Sequence, residues 1–147
     1  MYSTLSEVLA EKGATVYSVQ SDATVQDAVM AMKAYNVGAM IVMEGNTPIG
    51  VFTERDLLVR VIAAGLDPNE VQVTNAMTRN FFAVKPSLSV REAMAIVTEK
   101  RCRHLPVFEN GILLGMVSSG DLTKWVADDS QIEIQHLVNY ITGKYPN

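Results

Sequence analysis

The chain has 147 residues, of which 48% are hydrophobic and 19% are charged. This length and composition are typical of one globular domain, or of two small subunits of one fold, and exclude an intrinsically disordered chain. Twelve Lys and Arg against sixteen Asp and Glu give a net charge of −4. Because phosphate backbones need a dense cationic face, this balance argues against a nucleic-acid-binding protein, although a small anionic ligand in one local pocket stays compatible with it.

Cysteine content and hydropathy limit the compartment and the chemistry. The single cysteine, Cys102, excludes an internal disulfide framework and a multi-cysteine metal site, and we expect no metal to be required. The first residues lack a secretion signal, and the most apolar stretches, 37–43 and 59–66, are too short to span a bilayer. We therefore expect a cytoplasmic protein without membrane association.

The predicted elements of the first half run strand, helix, strand, strand, helix. A β stretch at 15–19 leads to an N-cap at Thr24 and to a helix whose apolar residues recur at i, i+3, i+4 and i+7. Two apolar runs, 39–43 and 49–52, are joined by a glycine-containing turn and predict a hairpin. A second helix is predicted to begin at Thr53.

After a connector at 66–76, the second half repeats this order. A β stretch, a capped amphipathic helix, a hairpin and a second helix are predicted at 81–84, from Ser89, at 105–108 with 112–117, and from Ser118. The tail from about 129 carries apolar residues at helical spacing, which favours a docking or oligomer surface. These tail residues are Ile134, Leu137, Val138 and Ile141.

The two halves are copies of one unit. An offset of 65 positions aligns residues 19–61 with 84–126 without a gap and with nine identities, among them Gly50/Gly115 and Asp56/Asp121. One copy cannot bury both faces of its sheet, so we predict an α/β (α+β) fold of tandem β-α-β-β-α repeats, packed sheet to sheet with pseudo-twofold symmetry. The predicted parts are a first repeat with an N-terminal helix, a connector, a second repeat and a helical tail, at 1–65, 66–76, 77–128 and 129–147.

Both copies carry a Gly-apolar-apolar-(Thr/Ser)-x-x-Asp motif at a strand-to-helix junction, at 50–56 and 115–121. One interpretation is a capping box, in which the hydroxyl and the acid satisfy backbone N–H groups of the first turn. The other is a nucleotide site, because a helix N-terminus suits a phosphate and a carboxylate accepts hydrogen bonds from the vicinal hydroxyls of a ribose. The residues alone leave both interpretations open.

Together with Arg-His-Leu-Pro-Val at 103–107, these motifs resemble the cystathionine β-synthase (CBS) domain pair, or Bateman module, over about residues 5–128. The motif pair and the tail segment 137–143 are similar to stand-alone members from bacteria and plant organelles. The resemblance implies adenine nucleotide binding in clefts between the repeats, with AMP favoured and ADP, ATP, NAD or an adenosyl compound as alternatives. In such modules the Asp of one repeat takes the ribose and the segment before the second strand of the other contacts adenine.

Carried over to this chain, the resemblance implies two unequal clefts. In one, Ser118, Ser119 and Asp121 face Val37, Gly38 and Ala39; in the other, Thr53, Arg55 and Asp56 face Cys102, Arg103 and His104. Gly38 and Ala39 leave room for a flat base, whereas Arg103 and His104 supply phosphate donors. Arg103 at a solvated helix end and His104 at the edge of the core are the structural alternatives for these two residues.

The function predicted on this basis is a non-catalytic sensor that passes its ligand state to a regulated enzyme or transporter. Motifs of hydrolases, P-loop proteins, zinc proteases and dinucleotide enzymes are lacking. Apolar residues on the second helix of each repeat predict a homodimer: Leu57, Leu58, Val61, Ile62, Leu122, Trp125 and Val126. The alternatives are a structural homodimeric regulatory subunit with vestigial clefts, and a redox-linked regulator acting through Cys102, for which an inert thiol is the favoured interpretation.

Overall fold

The computed structural model describes residues 3–13 and 15–129, so the predicted tail helix lies outside the described residues apart from its first position. A helix, a hairpin and a second helix occur twice along the chain, and the short helix α3, at Glu54–Asp56, continues directly into a π-helical segment at Leu57–Ile62. The other elements are α1 Leu5–Lys12, β1 Ser18–Gln20, α2 Val25–Tyr35, β2 Ala39–Glu44, β3 Thr47–Thr53, α3 Glu54–Asp56, α4 Val73–Ala76, α5 Val90–Lys100, β4 His104–Glu109, β5 Ile112–Ser118 and α6 Ser119–Asp129.

The strands form two sheets that repeat one hairpin. In the first sheet β2 pairs parallel with β1 and antiparallel with β3, and in the second β4 pairs antiparallel with β5. The two hairpins share their register, since Ala39 lies opposite Thr53 and His104 lies opposite Ser118 at the 65-residue offset. Each hairpin also has its irregularity at the same place, after Val42 and after Val107 in the respective copies.

The sheets pack against each other, which confirms the predicted arrangement. Ala39, Ile41 and Val51 of the first sheet form a buried cluster, packed against partly buried apolar residues that include Leu113 and Met116 of the second sheet. Strands in such a sandwich bury side chains on both faces and therefore contain nearly continuous apolar runs. This explains why residues 39–42 are all buried.

The predicted strand at 81–84 is wrong in extent, because only Val84 pairs with the second sheet, through a single parallel bridge to Val107. The reason lies a few residues upstream. Thr78 and Val51 exchange two backbone hydrogen bonds of 2.8 and 2.9 Å, which tie this part of the chain to the first sheet. The segment therefore reaches the second sheet only at its end.

Each repeat is closed by a helix that precedes the other repeat in the chain. Leu5, Val8 and Leu9 of α1 are buried in the core of the second repeat, although the predicted boundaries place this helix with the first. In the same way, Val73 and Ala76 of α4, from the predicted connector, are buried in the core of the first repeat. The boundaries themselves stay a prediction.

The motif glycines permit this closure. A Cβ atom on Gly115 would lie 2.8 Å from Cδ2 of Leu9, and one on Gly50 would lie 3.0 Å from the Thr78 carbonyl oxygen. Distances this short leave no room for a side chain unless the Leu9 side chain or the backbone at Thr78 shifts. The glycine of each motif is therefore explained by the approach of the crossing segment, without reference to a ligand.

Leu5→Ala tests whether α1 is integral to the second repeat. Leu5 is fully buried, so its truncation should lower the free energy of unfolding by about 2–5 kcal/mol through lost apolar burial and a residual cavity. Denaturant titration measures the change, with exposed Ser6→Ala on the same helix as the control at about 0.5 kcal/mol or less. Equal effects of the two variants would mean that α1 does not close this core.

Candidate ligand-binding clefts

Two clefts lie between the repeats, with volumes of about 570 and 400 Å³. Both volumes fall within the range of roughly 300–1,000 Å³ that is typical of small-molecule sites. Cleft 1 is lined by Thr53, Arg55 and Asp56 of the first repeat and by Arg101 to His104 of the second, beside an apolar wall of Val51, Leu58, Val59, Phe81 and Phe82. Cleft 2 is lined by Val37, Gly38 and Ala39 of the first repeat and by Ser118, Ser119 and Asp121 of the second, with Lys12, Tyr17 and Asn36 beside them.

The structure therefore brings the sequence-predicted residues together in the two predicted sets, each drawn from both repeats. Ligand contacts at these residues stay a prediction. One expectation needs correction: the room beside Gly38 is taken, because a Cβ there would meet the Glu54 carboxylate and lie 3.4 Å from Nε2 of His104.

Both aspartates act as helix caps. The Asp56 carboxylate accepts from the Thr53 N–H at 3.0 Å, and the Thr53 hydroxyl accepts from the Asp56 N–H at 3.2 Å. Ser118 and Asp121 make the same reciprocal pair at 2.8 and 3.1 Å. The capping interpretation is thus correct for both motifs, and ligand binding is a further role that it does not exclude.

The two carboxylates differ in how much hydrogen-bonding capacity they retain. Asp56 is 6% exposed, and both of its oxygens are engaged. The Thr78 hydroxyl donates to Oδ1 at 3.0 Å, and the Arg60 Nε lies 3.6 Å from the same oxygen. Burial and these contacts leave a ligand hydroxyl less access to this carboxylate than to that of Asp121.

The Asp121 side chain is 26% exposed and is held through one oxygen. Oδ2 of Asp121 accepts from the Ser118 N–H and from the Lys12 ammonium, which also donates to the Met116 carbonyl at 2.8 Å. Burial by itself would raise the pKa of Asp121, but the hydrogen bonds from Lys12 and Ser118 outweigh it and lower that pKa. The carboxylate is therefore charged at neutral pH, and its Oδ1 has no hydrogen-bond donor among the described residues.

His104 lies where the clefts meet and is half-buried. Burial lowers the pKa of His104, Lys12 and Arg103 lower it further, and the carboxylates of Glu54 and Asp121 oppose them. The imidazole is therefore neutral at neutral pH and can accept as well as donate a hydrogen bond.

Cys102 also lines cleft 1. Burial raises the pKa of the Cys102 thiol, and a hydrogen bond to its own backbone opposes this shift. Because the thiolate is the reactive form, a raised pKa disfavours the redox alternative.

Sequence reasoning missed several lining residues, chiefly Lys12 in cleft 2 and Phe81 and Phe82 in cleft 1. Lys12 comes from α1, which crosses to the other repeat, and no motif marks it. The paired phenylalanines were visible as an apolar run, but the run was interpreted as a strand.

Comparison with known proteins decides the family, since the family model for the CBS domain matches residues 13–63 and 72–128. The chain belongs to the CBS domain family. The CBS domain-containing protein CBSX3 of Arabidopsis thaliana, which is mitochondrial, is 36% identical over 151 aligned positions that cover 97% of this chain and 73% of its own.

Solved structures of CBS domain proteins have the same fold. A Burkholderia ambifaria protein with CBS domains, classed as a candidate signal-transduction protein, matches with a TM-score of 0.83 and 37% identity, covering 86% of this chain and 96% of that one. A hexameric CBS-CP12 protein of bloom-forming cyanobacteria matches with a TM-score of 0.75 and 30% identity, covering 84% and 67%. Stand-alone CBS domain proteins are generally regulatory.

Two further findings bear on partners. No helix within residues 3–13 and 15–129 is long and apolar enough to cross a membrane. In the same part of the chain, no group of three or more His, Cys, Asp or Glu side chains is placed to hold a metal ion.

The lowered pKa of His104 predicts acid sensitivity of the CBS fold. The unfolded chain takes up this proton near pH 6.5 and the folded chain only at lower pH, so stability is full above about pH 6.5 and falls as pH drops towards the folded-state pKa. Urea titrations between about pH 7.5 and 5.5 should show a smaller loss for His104→Asn than for the unmodified chain. An identical pH dependence of the two proteins would contradict this assignment.

Proposed function

We propose that this CBS domain protein is a non-catalytic sensor that binds adenine nucleotides in the clefts between its repeats. The observation that carries the proposal is the make-up of each cleft, which combines residues of both repeats with cations and an uncharged wall. A ligand that touches both repeats favours one relative packing of them, and differential affinity for two packings is what a sensor requires.

Cleft 2 offers separate partners for each part of a nucleotide. The first turn of α6 presents the N–H group of Gly120 at the positive end of an eleven-residue helix, which suits a phosphate. The exposed oxygen of Asp121 suits a ribose hydroxyl. Val37, Ala39 and Tyr17 provide an uncharged wall for the base.

Cleft 1 is larger and more cationic, since it holds Arg55, Arg101 and Arg103 against Glu54 and Asp56. Its apolar wall includes Phe81, which stacks on Phe108 with ring centroids 6.2 Å apart, and Phe82. Guanidinium groups bind phosphates bidentately, so this cleft suits AMP and also the longer phosphate chains of ADP and ATP, or NAD.

The competing proposal is a structural regulatory subunit with vestigial clefts. The complete engagement of Asp56 by chain donors favours it for cleft 1. The exposed carboxylate of Asp121 speaks against it for cleft 2. The partner that receives the signal would be a regulated enzyme or transporter, as the resemblance implies.

Thermal unfolding with AMP, ADP, ATP and GMP tests the proposed function. At one hundred times its dissociation constant, a bound ligand adds about 2.7 kcal/mol to the free energy of unfolding, which raises the melting temperature by several degrees in a domain of this size. We expect the adenine nucleotides to give this shift and GMP a smaller one. No shift with any adenine nucleotide at millimolar concentration would favour the structural subunit.

Alanine substitutions separate the capping role of the motif aspartates from ligand binding. Asp121→Ala should weaken AMP binding at one cleft by roughly tenfold to a hundredfold, because a ribose hydroxyl loses a charged acceptor. Asp56→Ala should weaken AMP binding less and destabilise the fold more, because Thr78 and the first turn of α3 lose their buried acceptor. Calorimetric titration and urea unfolding of both variants measure the two effects.

Asp27→Ala is the matched control for these variants. Asp27 completes the capping box of α2 with Thr24, at 3.1 Å in both directions, and lines neither cleft. Its loss should cost about 1 kcal/mol of stability as a cap and leave AMP affinity unchanged. AMP affinity that falls equally in the Asp27 and Asp121 variants would assign Asp121 to capping alone.

We further propose that the protein is a homodimer, with the helices that end each repeat packed between two chains. The structure divides the residues that motivated this prediction: Val61 and Leu122 are buried within the chain, whereas Leu58 and Ile62 are 62% and 52% exposed. Val59 and Leu66 extend this exposed apolar face. Contiguous exposed apolar surface of this kind is typical of interaction sites.

Leu58→Glu tests the dimer. The substitution places a charge in the proposed interface, so light scattering at micromolar concentration should show one chain's mass where the unmodified protein shows two. Ile112→Glu is the control, because Ile112 is 64% exposed at the turn between β4 and β5, away from these helices. A monomeric unmodified protein would contradict the proposal.

A further inference from the structure

Among residues 3–13 and 15–129, three side chains line both clefts: Glu54, Arg103 and His104. We call these residues the shared wall. Their counterparts at the 65-residue offset are Ser119, Gly38 and Ala39, which line cleft 2 and do not line cleft 1. The charge at the boundary between the clefts therefore comes from one cation, Arg103, and one anion, Glu54. The neutral imidazole of His104 lies at the same boundary.

Backbone hydrogen bonds hold the shared wall at Glu54 and Arg103, so only its side chains can reorient when a ligand binds. The Glu54 N–H donates to the Gly38 carbonyl at 3.1 Å, and the Ser119 N–H donates to the Arg103 carbonyl at 2.8 Å. These two hydrogen bonds are related by the internal repeat, and each holds the end of the hairpin within its own repeat. The Arg103 guanidinium, by contrast, is exposed and makes no hydrogen bond or ion pair within the described part of the chain.

The other cations are divided unequally between the clefts. Arg55 and Arg101 line cleft 1 alone. Cleft 2 has Lys12 of its own, but the Lys12 ammonium is paired with Asp121. Arg103 is therefore the unpaired cation of cleft 2 and, at the same time, the third arginine of cleft 1.

We propose that the two clefts compete for Arg103, so that a phosphorylated ligand in one cleft weakens the binding of a phosphorylated ligand in the other. The inference rests on the proposed function. One guanidinium fork cannot make a bidentate pair with two phosphates at once. When Arg103 turns into one cleft, the other keeps the Glu54 carboxylate without its neighbouring cation, and anions on the two sides of the wall repel each other.

Single-cleft variants measure this coupling. Thr15→Trp fills cleft 2 and Asn80→Trp fills cleft 1, and each of these exposed positions lines only the cleft that it fills. Each variant gives the association constant of the remaining cleft for AMP by calorimetry. The unmodified chain gives two stepwise association constants for AMP. The coupling factor is their product divided by the product of the two single-cleft constants. It equals one when the clefts are independent.

We expect a coupling factor for AMP of about one tenth to one hundredth, the effect of losing a hydrogen-bonded charged partner. Adenosine, which lacks the phosphate, should give a factor near one in the same proteins. Raising the salt concentration should move the factor for AMP towards one, because ions screen the repulsion.

Combined with each blocking substitution, Arg103→Gln should raise the factor for AMP towards one and leave only the repulsion that salt screens. Arg55→Gln is the matched control, since it removes a cation that lines cleft 1 alone; it should weaken AMP in cleft 1 and leave the coupling factor low. A factor near one for AMP in the unmodified chain, or above one, would overturn the inference, as would equal factors for AMP and adenosine. Failure of the proposed function looks different: AMP gives no heat, or neither Trp substitution lowers its stoichiometry.

Discussion

The rest of the structure depends on the crossing of α1 and α4 between the repeats. One face of each hairpin packs against the other repeat, and helices must cover the apolar surface that remains. The last of these helices comes from a segment that precedes the other repeat in the chain, and neither repeat is complete without it. Gly50 and Gly115 are the local requirement of this arrangement, because any side chain there would meet the crossing segment.

The same crossing connects the fold to the clefts. Lys12 stands at the end of α1 and Thr78 follows α4, and each crossing segment brings its residue to the motif aspartate of the repeat that it covers. An internal repeat thus yields two carboxylates in equivalent places with different surroundings, one facing an ammonium and the other a hydroxyl. Departures from symmetry at a few positions, and not the duplicated framework, make the clefts chemically distinct.

Much of this architecture was predictable from the sequence, because the duplication repeats hairpin register and caps as well as residue types. The packing of the sheets also followed, because one copy cannot bury both faces of its sheet, whereas the pairing of each motif with the opposite repeat came from the family resemblance. The position of α1 could not be predicted, since the sequence of an amphipathic helix does not indicate which of two cores the helix covers. The prediction of a strand at 81–84 was wrong for a related reason. Thr78 pairs with Val51, and local residue propensities do not indicate such a long-range pairing. Lys12 was missed as a lining residue because its position depends on the same crossing.

The crossed closure also orders the events of synthesis. The core of the first repeat consists of residues between Val25 and Met77 and is complete as soon as that stretch has left the ribosome. The core of the second repeat combines Leu5, Val8 and Leu9 with residues as late as Leu122. Since domains generally fold as they emerge, α1 is made before the first repeat, keeps its apolar face uncovered while that repeat folds, and meets its partners only after Leu122 has been made.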